Sequence, residues 1–173
     1  ITARGGSKRI PKKNIKDFLG KPIIAYSIEA ALKSELFDDV MVSIDDSEIA
    51  ELSLSYGASV PVMRDDTAAN DTATTVDALL DVFSAYSKQN KMFDYACCLY
   101  PTAPFVTADK LTEAYNELLN NNLDVVFPVM KFAYPIWRSL KQEGDRLKMN
   151  WTEYLNSRSQ DLPESFHDAG QFY

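Results

Sequence analysis

Cysteine is scarce in this chain: two among 173 residues, Cys97 and Cys98, adjacent in an apolar run. Neighbours on a strand point to opposite faces, which argues against a disulfide or a metal-holding pair. They read instead as two small buried hydrophobes, suited to a reducing cytoplasm. No apolar run approaches the roughly 20 residues that span a bilayer, so no membrane partner is expected. Positive charge is in deficit, with 18 Lys and Arg against 25 Asp and Glu and a net charge of −7. A chain so balanced lacks the overall basic field that holds nucleic acid. Histidine occurs once, as His167. Internal repeats and low-complexity tracts are missing too.

What is present is a core-forming composition. Hydrophobic residues make up 46% of the chain and aromatics 12%, enough for one globular domain over residues 1–173 and little more. Strand-like and helix-like segments alternate. Residues 1–3 read as the tail of a strand whose beginning is missing, followed by a polar loop over 4–14. Residues 21–33 carry Ile24, Ile28, Ala31 and Leu32 at helical spacing, with Pro22 tolerated in the first turn. Residues 40–44 read as a short buried strand, and Asp45, Asp46 and Ser47 can cap a helix over 47–56 that Gly57 closes. A strand over 58–63 precedes a helix over 72–87, with Val76, Leu79, Leu80 and Phe83 turned inward and Asp71-Thr72 as its cap. A strand over 95–100, a helix over 108–119 and a strand over 125–129 follow. Such alternation predicts an α/β fold, a doubly wound and mainly parallel Rossmann-like sheet. Ligands of such folds bind outside the carboxyl ends of the strands.

From Lys131 the rhythm changes. Two segments, 132–137 and 146–149, look antiparallel around the turn Glu143-Gly144-Asp145, and 158–166 is polar and irregular. The chain stops within 171–173, in what reads as another strand, and the C-terminal end of the domain is expected beyond it.

Positive charge is gathered in one place. Arg4, Lys8, Arg9, Lys12 and Lys13 put five cationic side chains into eleven residues, behind a strand and around Gly5-Gly6. Glycines let backbone N–H groups approach an anion, and the cations supply charge against a polyphosphate. The spacing is not that of a Walker A loop, nor of a dinucleotide fingerprint. Composition alone leaves a solvated basic loop as the alternative. Arg64 read by itself is one surface arginine among several. Asp46 and Ser47 read as a helix cap, and a lone histidine such as His167 is usually structural.

A resemblance sharpens these readings. Ala3-Arg4, Ser7-Lys8 and Lys13-Asn14 resemble the first signature of the acylneuraminate cytidylyltransferase family. Val42-Ser43-Ile44-Asp45 is similar to its Val-Ser-Thr-Asp, with isoleucine where threonine is usual. Arg64 and the loop to Thr75 resemble the segment whose arginine and following loop bracket cytosine, with Asp65 in place of proline and Ala68 in place of leucine. Tyr100, in Tyr100-Pro101-Thr102-Ala103-Pro104, stands where sialic-acid members have a sugar-touching glutamine. Arg158 matches the arginine that binds the sugar carboxylate, and the run from His167 to Tyr173 is similar to the pseudaminate branch of the family.

The resemblance implies a nucleotidyltransferase. The anomeric hydroxyl of a nonulosonic acid, most closely pseudaminic acid, attacks the α-phosphate of CTP to give CMP-sugar and pyrophosphate. It implies catalytic roles for Arg4, Lys8 and Lys13. Ala3, Arg4, Lys8, Lys13, Asn14, Arg64, Ala73 and Thr75 would surround the nucleotide. Tyr100, Arg138, Arg158 and His167 would lie on the sugar side. It further implies Mg²⁺ as cofactor, metal aspartates beyond Tyr173, and a homodimer built on an excursion over 131–163. No Asp-x-Asp pair occurs in the final thirty residues. The base that takes the hydroxyl proton is left open between metal-bound water and a carboxylate. The alternatives are a legionaminate or N-acetylneuraminate enzyme of the same class, or a nucleotide-sensing domain of the same fold without catalysis.

Overall fold

The computed structural model describes residues 1–7, 10–64 and 74–173. The chain forms two compact units: residues 1–127 together with 170–173, and residues 128–169. The basic loop around Lys8 and the segment 65–73, with the Asp71-Thr72 cap, lie partly or wholly outside the described residues.

The first unit is α/β. Three short extended segments lie side by side in parallel, with bridges Thr2 to Ser43, Met41 to Ser59 and Ile44 to Met63. Ala3 N donates to Ser43 O at 3.0 Å, Val42 N to Ser59 O at 2.8 Å, and Arg64 N to Ile44 O at 2.8 Å. A fourth segment pairs the other way. Leu99 bridges Phe172 antiparallel, and Cys98 and Tyr173 exchange both backbone bonds, so 171–173 is extended as its sequence predicts.

A hairpin not anticipated from sequence, β1 (Asp17–Phe18) with β2 (Lys21–Pro22), precedes the first helix. Its tip, Leu19-Gly20, places both residues at positive φ, 54° and 91°. Tyr26 Oη donates to Phe18 O at 2.6 Å and ties the hairpin down. The helices are α1 (Ile23–Ser34), α2 (Ser47–Ser55), α3 (Thr75–Lys88) and α4 (Ala108–Asn120). Helix α1 thus starts just after Pro22, whose fixed φ precedes the first turn. The Asp46 side chain caps α2 by accepting from Ile49 N at 3.1 Å, and Gly57 at φ 91° ends it.

Helix α1 is the centre of the unit because it is apolar on two sides. Ile24 and Ile28 pack with Ala3, Val42, Ile44, Ile49 and Ala58. Ala30 and Ala31 pack with Leu99, Ala103, Val106, Leu111 and Phe172. Ile24, Ile28, Val42 and Ile44 are fully enclosed, each side chain contributing about 1.5–3 kcal/mol.

Helix α3 corrects one expectation. Val76, Leu80 and Phe83 are exposed, and the residues buried on this helix are Ala78 and Tyr86. The helix is turned so that Tyr86 Oη reaches Asp39 Oδ2 at 2.7 Å, while Ser59 Oγ donates to Asp39 Oδ1 at 2.6 Å. Leu79, half-buried, and Phe83, 44% exposed, line a pocket on that side of the helix. The cap is Thr74, which forms a capping box with Asp77. Beneath α3 lies a largely apolar cavity of about 310 Å³, lined among others by Val40, Leu79, Val82, Phe83, Cys97 and Leu111.

The second unit pairs β3 (Val129–Lys131) with β6 (Phe166–Asp168) antiparallel, and β4 (Leu140–Glu143) with β5 (Arg146–Met149) as a hairpin turning at Gly144. The Trp137 ring packs edge-on against Trp151 and tilted against Tyr154, and its Nε1 donates to Pro163 O at 3.0 Å. Among the described residues of this unit none is buried, and Val129, Met130, Tyr134, Leu147 and Phe166 are each more than half exposed. No helix among the described residues is long and apolar enough to cross a membrane.

Candidate functional site

The carboxyl ends of the three parallel segments deliver Arg4, Asp45 and Arg64 to one edge, where α/β folds bind ligands. There the backbone turns under tight control. Gly5 N donates to Asp45 Oδ1 at 2.7 Å, and Ser7 N to Gly5 O at 2.9 Å. The chain then passes through Lys12 at φ 50° into a 3-10 turn, Lys13–Ile15. That turn swings Asn14 inward, 3% exposed, so that its Nδ2 donates to Arg4 O at 2.8 Å. Arg64 Nη2 donates to Ala3 O. Two distant side chains therefore hold the carbonyls of consecutive residues, Ala3 and Arg4.

Lys13 is exposed on the outer side of the turn. Its neighbour Lys12 pairs with Glu48 at 2.5 Å, near the start of α2. Gly5 is required by space. A Cβ on it would lie 2.8 Å from Asp46 Oδ2 and 2.9 Å from Asp46 Cβ.

The Arg64 guanidinium sits partly out of water in a field of mixed sign. Burial lowers the Arg64 guanidinium from its ordinary value, Asp45 and Asp81 offset part of that, and Arg4 pushes it further down. Arg4 and Arg64 thus repel each other. Asn14 Oδ1 and Arg64 Nε, both buried, have no hydrogen-bond partner among the described residues. An unsatisfied buried polar atom costs about 1–3 kcal/mol, and a bound polar ligand removes that cost.

Of the nucleotide-side residues expected from sequence, Ala3, Arg4, Asn14 and Arg64 come together here. Lys13 adjoins them on the turn, Thr75 is the first residue of α3, and Lys8 and Ala73 lie outside the described residues. Tyr100 stands elsewhere in the first unit. Its backbone is fixed by Ser27 Oγ, which donates to Tyr100 O at 2.8 Å, and by Tyr100 N donating to Gln171 O at 2.9 Å. Its ring meets Tyr173 edge-on at 5.5 Å.

The other three sugar-side residues belong to the second unit. Arg138 Nη1 donates to Ser157 O at 2.7 Å. Arg158 forms a two-point pair with Asp161. His167 lies on β6 with Nδ1 2.9 Å from Asp168 O and its ring against Phe132 at 4.9 Å.

Asp45, read from sequence as a candidate helix cap and as the end of the Val-Ser-Thr-Asp likeness, shapes the Gly5 turn. Sequence reasoning did not single out Asp39, Tyr86 or Asp161. The signal for Asp161 was available as its three-residue spacing from Arg158.

Comparison with known proteins places these residues in context. The family described as "Cytidylyltransferase" matches residues 1–146. The pseudaminic acid cytidylyltransferase of Campylobacter jejuni subsp. jejuni serotype O:23/36 is 46% identical over 174 residues, covering 100% of this chain and 75% of that protein. The CMP-N,N'-diacetyllegionaminic acid synthase of Legionella pneumophila subsp. pneumophila is 34% identical over 151 residues, covering 86% of this chain and 64% of its own length. A solved structure of CMP:2-keto-3-deoxy-manno-octonic acid synthetase complexed with CTP superposes with a TM-score of 0.65 at 19% identity. It covers 99% of this chain and 70% of that one, and the likeness is one of fold.

Proposed function

The chain belongs to the cytidylyltransferase family, and from that premise we propose that it activates pseudaminic acid as its CMP derivative. The anomeric oxygen of the sugar forms a bond to the α-phosphorus of CTP, and the bond from that phosphorus to the pyrophosphate oxygen breaks. Such a transfer depends on alignment and charge neutralisation more than on covalent chemistry.

The observation that carries this reading is the convergence of Arg4, Asn14 and Arg64 at the carboxyl ends of parallel segments, with Asn14 Oδ1 and Arg64 Nε left without partners among the described residues. In this reading Arg4, Lys8 and Lys13 neutralise phosphate oxygens. Asn14 and Arg64 flank the nucleoside, and Ala73 and Thr75 meet the base. Tyr100, and separately Arg138, Arg158 and His167, take the sugar-side roles that the resemblance gives them. Pseudaminic acid is preferred over legionaminic acid because identity falls from 46% to 34% between the two relatives.

The finer architecture is part of the same proposal. The sheet is doubly wound, mainly parallel and Rossmann-like, and the protein acts in the cytoplasm. A homodimer forms through the excursion 131–163, supported by the exposed apolar residues of the second unit.

Mg²⁺ is the cation this chemistry calls for. The described residues do not make a self-contained site for it. No group of three His, Cys, Asp or Glu comes together among them, and Asp45 and Asp46 each give an oxygen to a backbone N–H.

The test is pyrophosphate release by the full-length protein with CTP and Mg²⁺, offered pseudaminic, legionaminic or N-acetylneuraminic acid separately. Release confined to pseudaminic acid supports the assignment. Release with another of the three keeps the enzyme class and discards the sugar. CTP binding without release from any of them favours a sensing role.

A further inference from the structure

Arg158 immediately precedes the 3-10 turn Ser159–Asp161, and Asp161 closes it. So short a turn brings the carboxylate back over the guanidinium. Arg158 Nε donates to Asp161 Oδ2 at 2.7 Å and Nη2 donates to Oδ1 at 3.1 Å. A guanidinium carries five N–H groups in one plane. Asp161 takes the two on its side edge, Nε–H and one hydrogen of Nη2. The end edge, formed by Nη1 and the other Nη2 hydrogen, has the same two-point spacing for a carboxylate. Among the described residues that edge has no partner.

We propose that Asp161 is a positioning residue for the acidic sugar. It holds the Arg158 fork side-on and presents the end edge to the sugar carboxylate. The inference rests on the reading of Arg158 as the arginine that meets that carboxylate. Two effects oppose each other here. Two carboxylates on one guanidinium repel, but they sit on different edges with the cation between them, and solvent screens them because the side chains are 73% and 49% exposed. Against this stands the conformational freedom of a long exposed arginine, which binding would otherwise have to remove. Orientation outweighs repulsion. The same exposure means that the pair adds little to stability, so variants at Asp161 fold.

The sign of the effect separates this from the opposite arrangement, in which Asp161 occupies the edge the ligand needs. Steady-state pyrophosphate release by the full-length protein with pseudaminic acid reads it out. Asp161→Asn and Asp161→Ala are expected to raise the KM for the sugar about three- to tenfold, the cost of immobilising one flexible side chain on binding. The KM for CTP, kcat at saturating sugar and the melting temperature stay unchanged. Asp161→Glu, which keeps the charge, recovers part of the loss. In an Arg158→Ala background, Asp161→Asn adds nothing.

A sugar KM that is unchanged or lowered in Asp161→Asn, while Arg158→Ala raises it, overturns the positioning role and leaves the reading of Arg158 standing. A CTP KM that moves in parallel with the sugar KM also overturns it. An Arg158→Ala variant with an unaltered sugar KM removes the underlying reading instead.

Discussion

Gly5 and Asp46 approach so closely that a methyl group on the glycine would lie 2.9 Å from the aspartate Cβ. Asp46 cannot yield, because its side chain caps α2. Gly5→Ala is therefore expected to cost about 1–3 kcal/mol through overpacking and to weaken CTP binding by shifting the turn that begins at Arg4. Denaturant midpoints and calorimetric titration with CTP measure the two effects. A variant that matches the parent in both would show that the loop tolerates the extra atom.

Arg64 holds Ala3 O while its Nε has no partner among the described residues. Arg64→Lys keeps a charge and loses the planar fork. It is expected to raise the KM for CTP about tenfold or more, in line with the roughly 1–3 kcal/mol lost when a buried partner is left unpaired. The sugar KM should be little changed. An equal rise in both constants would point to general loosening of the site.

Tyr86 sets an alkaline limit. Burial, with the neighbouring Asp39 carboxylate, pushes its hydroxyl from 10.0 up to about 12. The folded state thus prefers the neutral phenol more strongly than the unfolded chain does. The resulting stability is fully present below pH 10 and is lost as pH rises from 10 toward 12. Denaturant midpoints measured along this range should fall in the parent protein, and the fall should be shallower in Tyr86→Phe. Near neutral pH that variant is expected to lose about 1–3 kcal/mol, since a hydrogen bond to a charged group is removed.

Tyr100 is held by its backbone, through Ser27 and Gln171, so its side chain can be exchanged without undoing the loop. Tyr100→Gln is expected to raise the KM for pseudaminic acid about tenfold, a loss of roughly 1.4 kcal/mol, and to leave the KM for CTP alone. Competing sugars assayed side by side would show whether preference has moved toward N-acetylneuraminic acid. An unchanged preference would place Tyr100 outside the sugar pocket.

How much of this was legible in the sequence varies with the range of the interaction responsible. Helices α1, α2 and α4 fall within about two residues of their expected bounds, because apolar spacing and caps such as Asp46 are local signals. The face of α3 was misread from Val76, Leu80 and Phe83. The buried Tyr86 of that helix bonds to Asp39, 47 positions away, and periodicity carries no trace of such a partner. The 17–22 hairpin was missed because Leu19 and Gly20 turn in so short a span.

Arg4, Asn14 and Arg64 are candidates by resemblance, and the structure adds what the resemblance leaves out, the hold that Asn14 and Arg64 have on consecutive carbonyls. The partnership of Gly5 with Asp45 and Asp46 arises where two parallel segments end together. It could not be read from positions 40 residues apart in a single sequence.

The space beneath α3 has a further bearing on how the molecule meets hydrostatic pressure. Only space that water leaves empty shrinks on unfolding, and compression favours the smaller form. The roughly 310 Å³ between α3 and the extended segments is open to solvent on one side, so only part of it counts toward the volume change of unfolding.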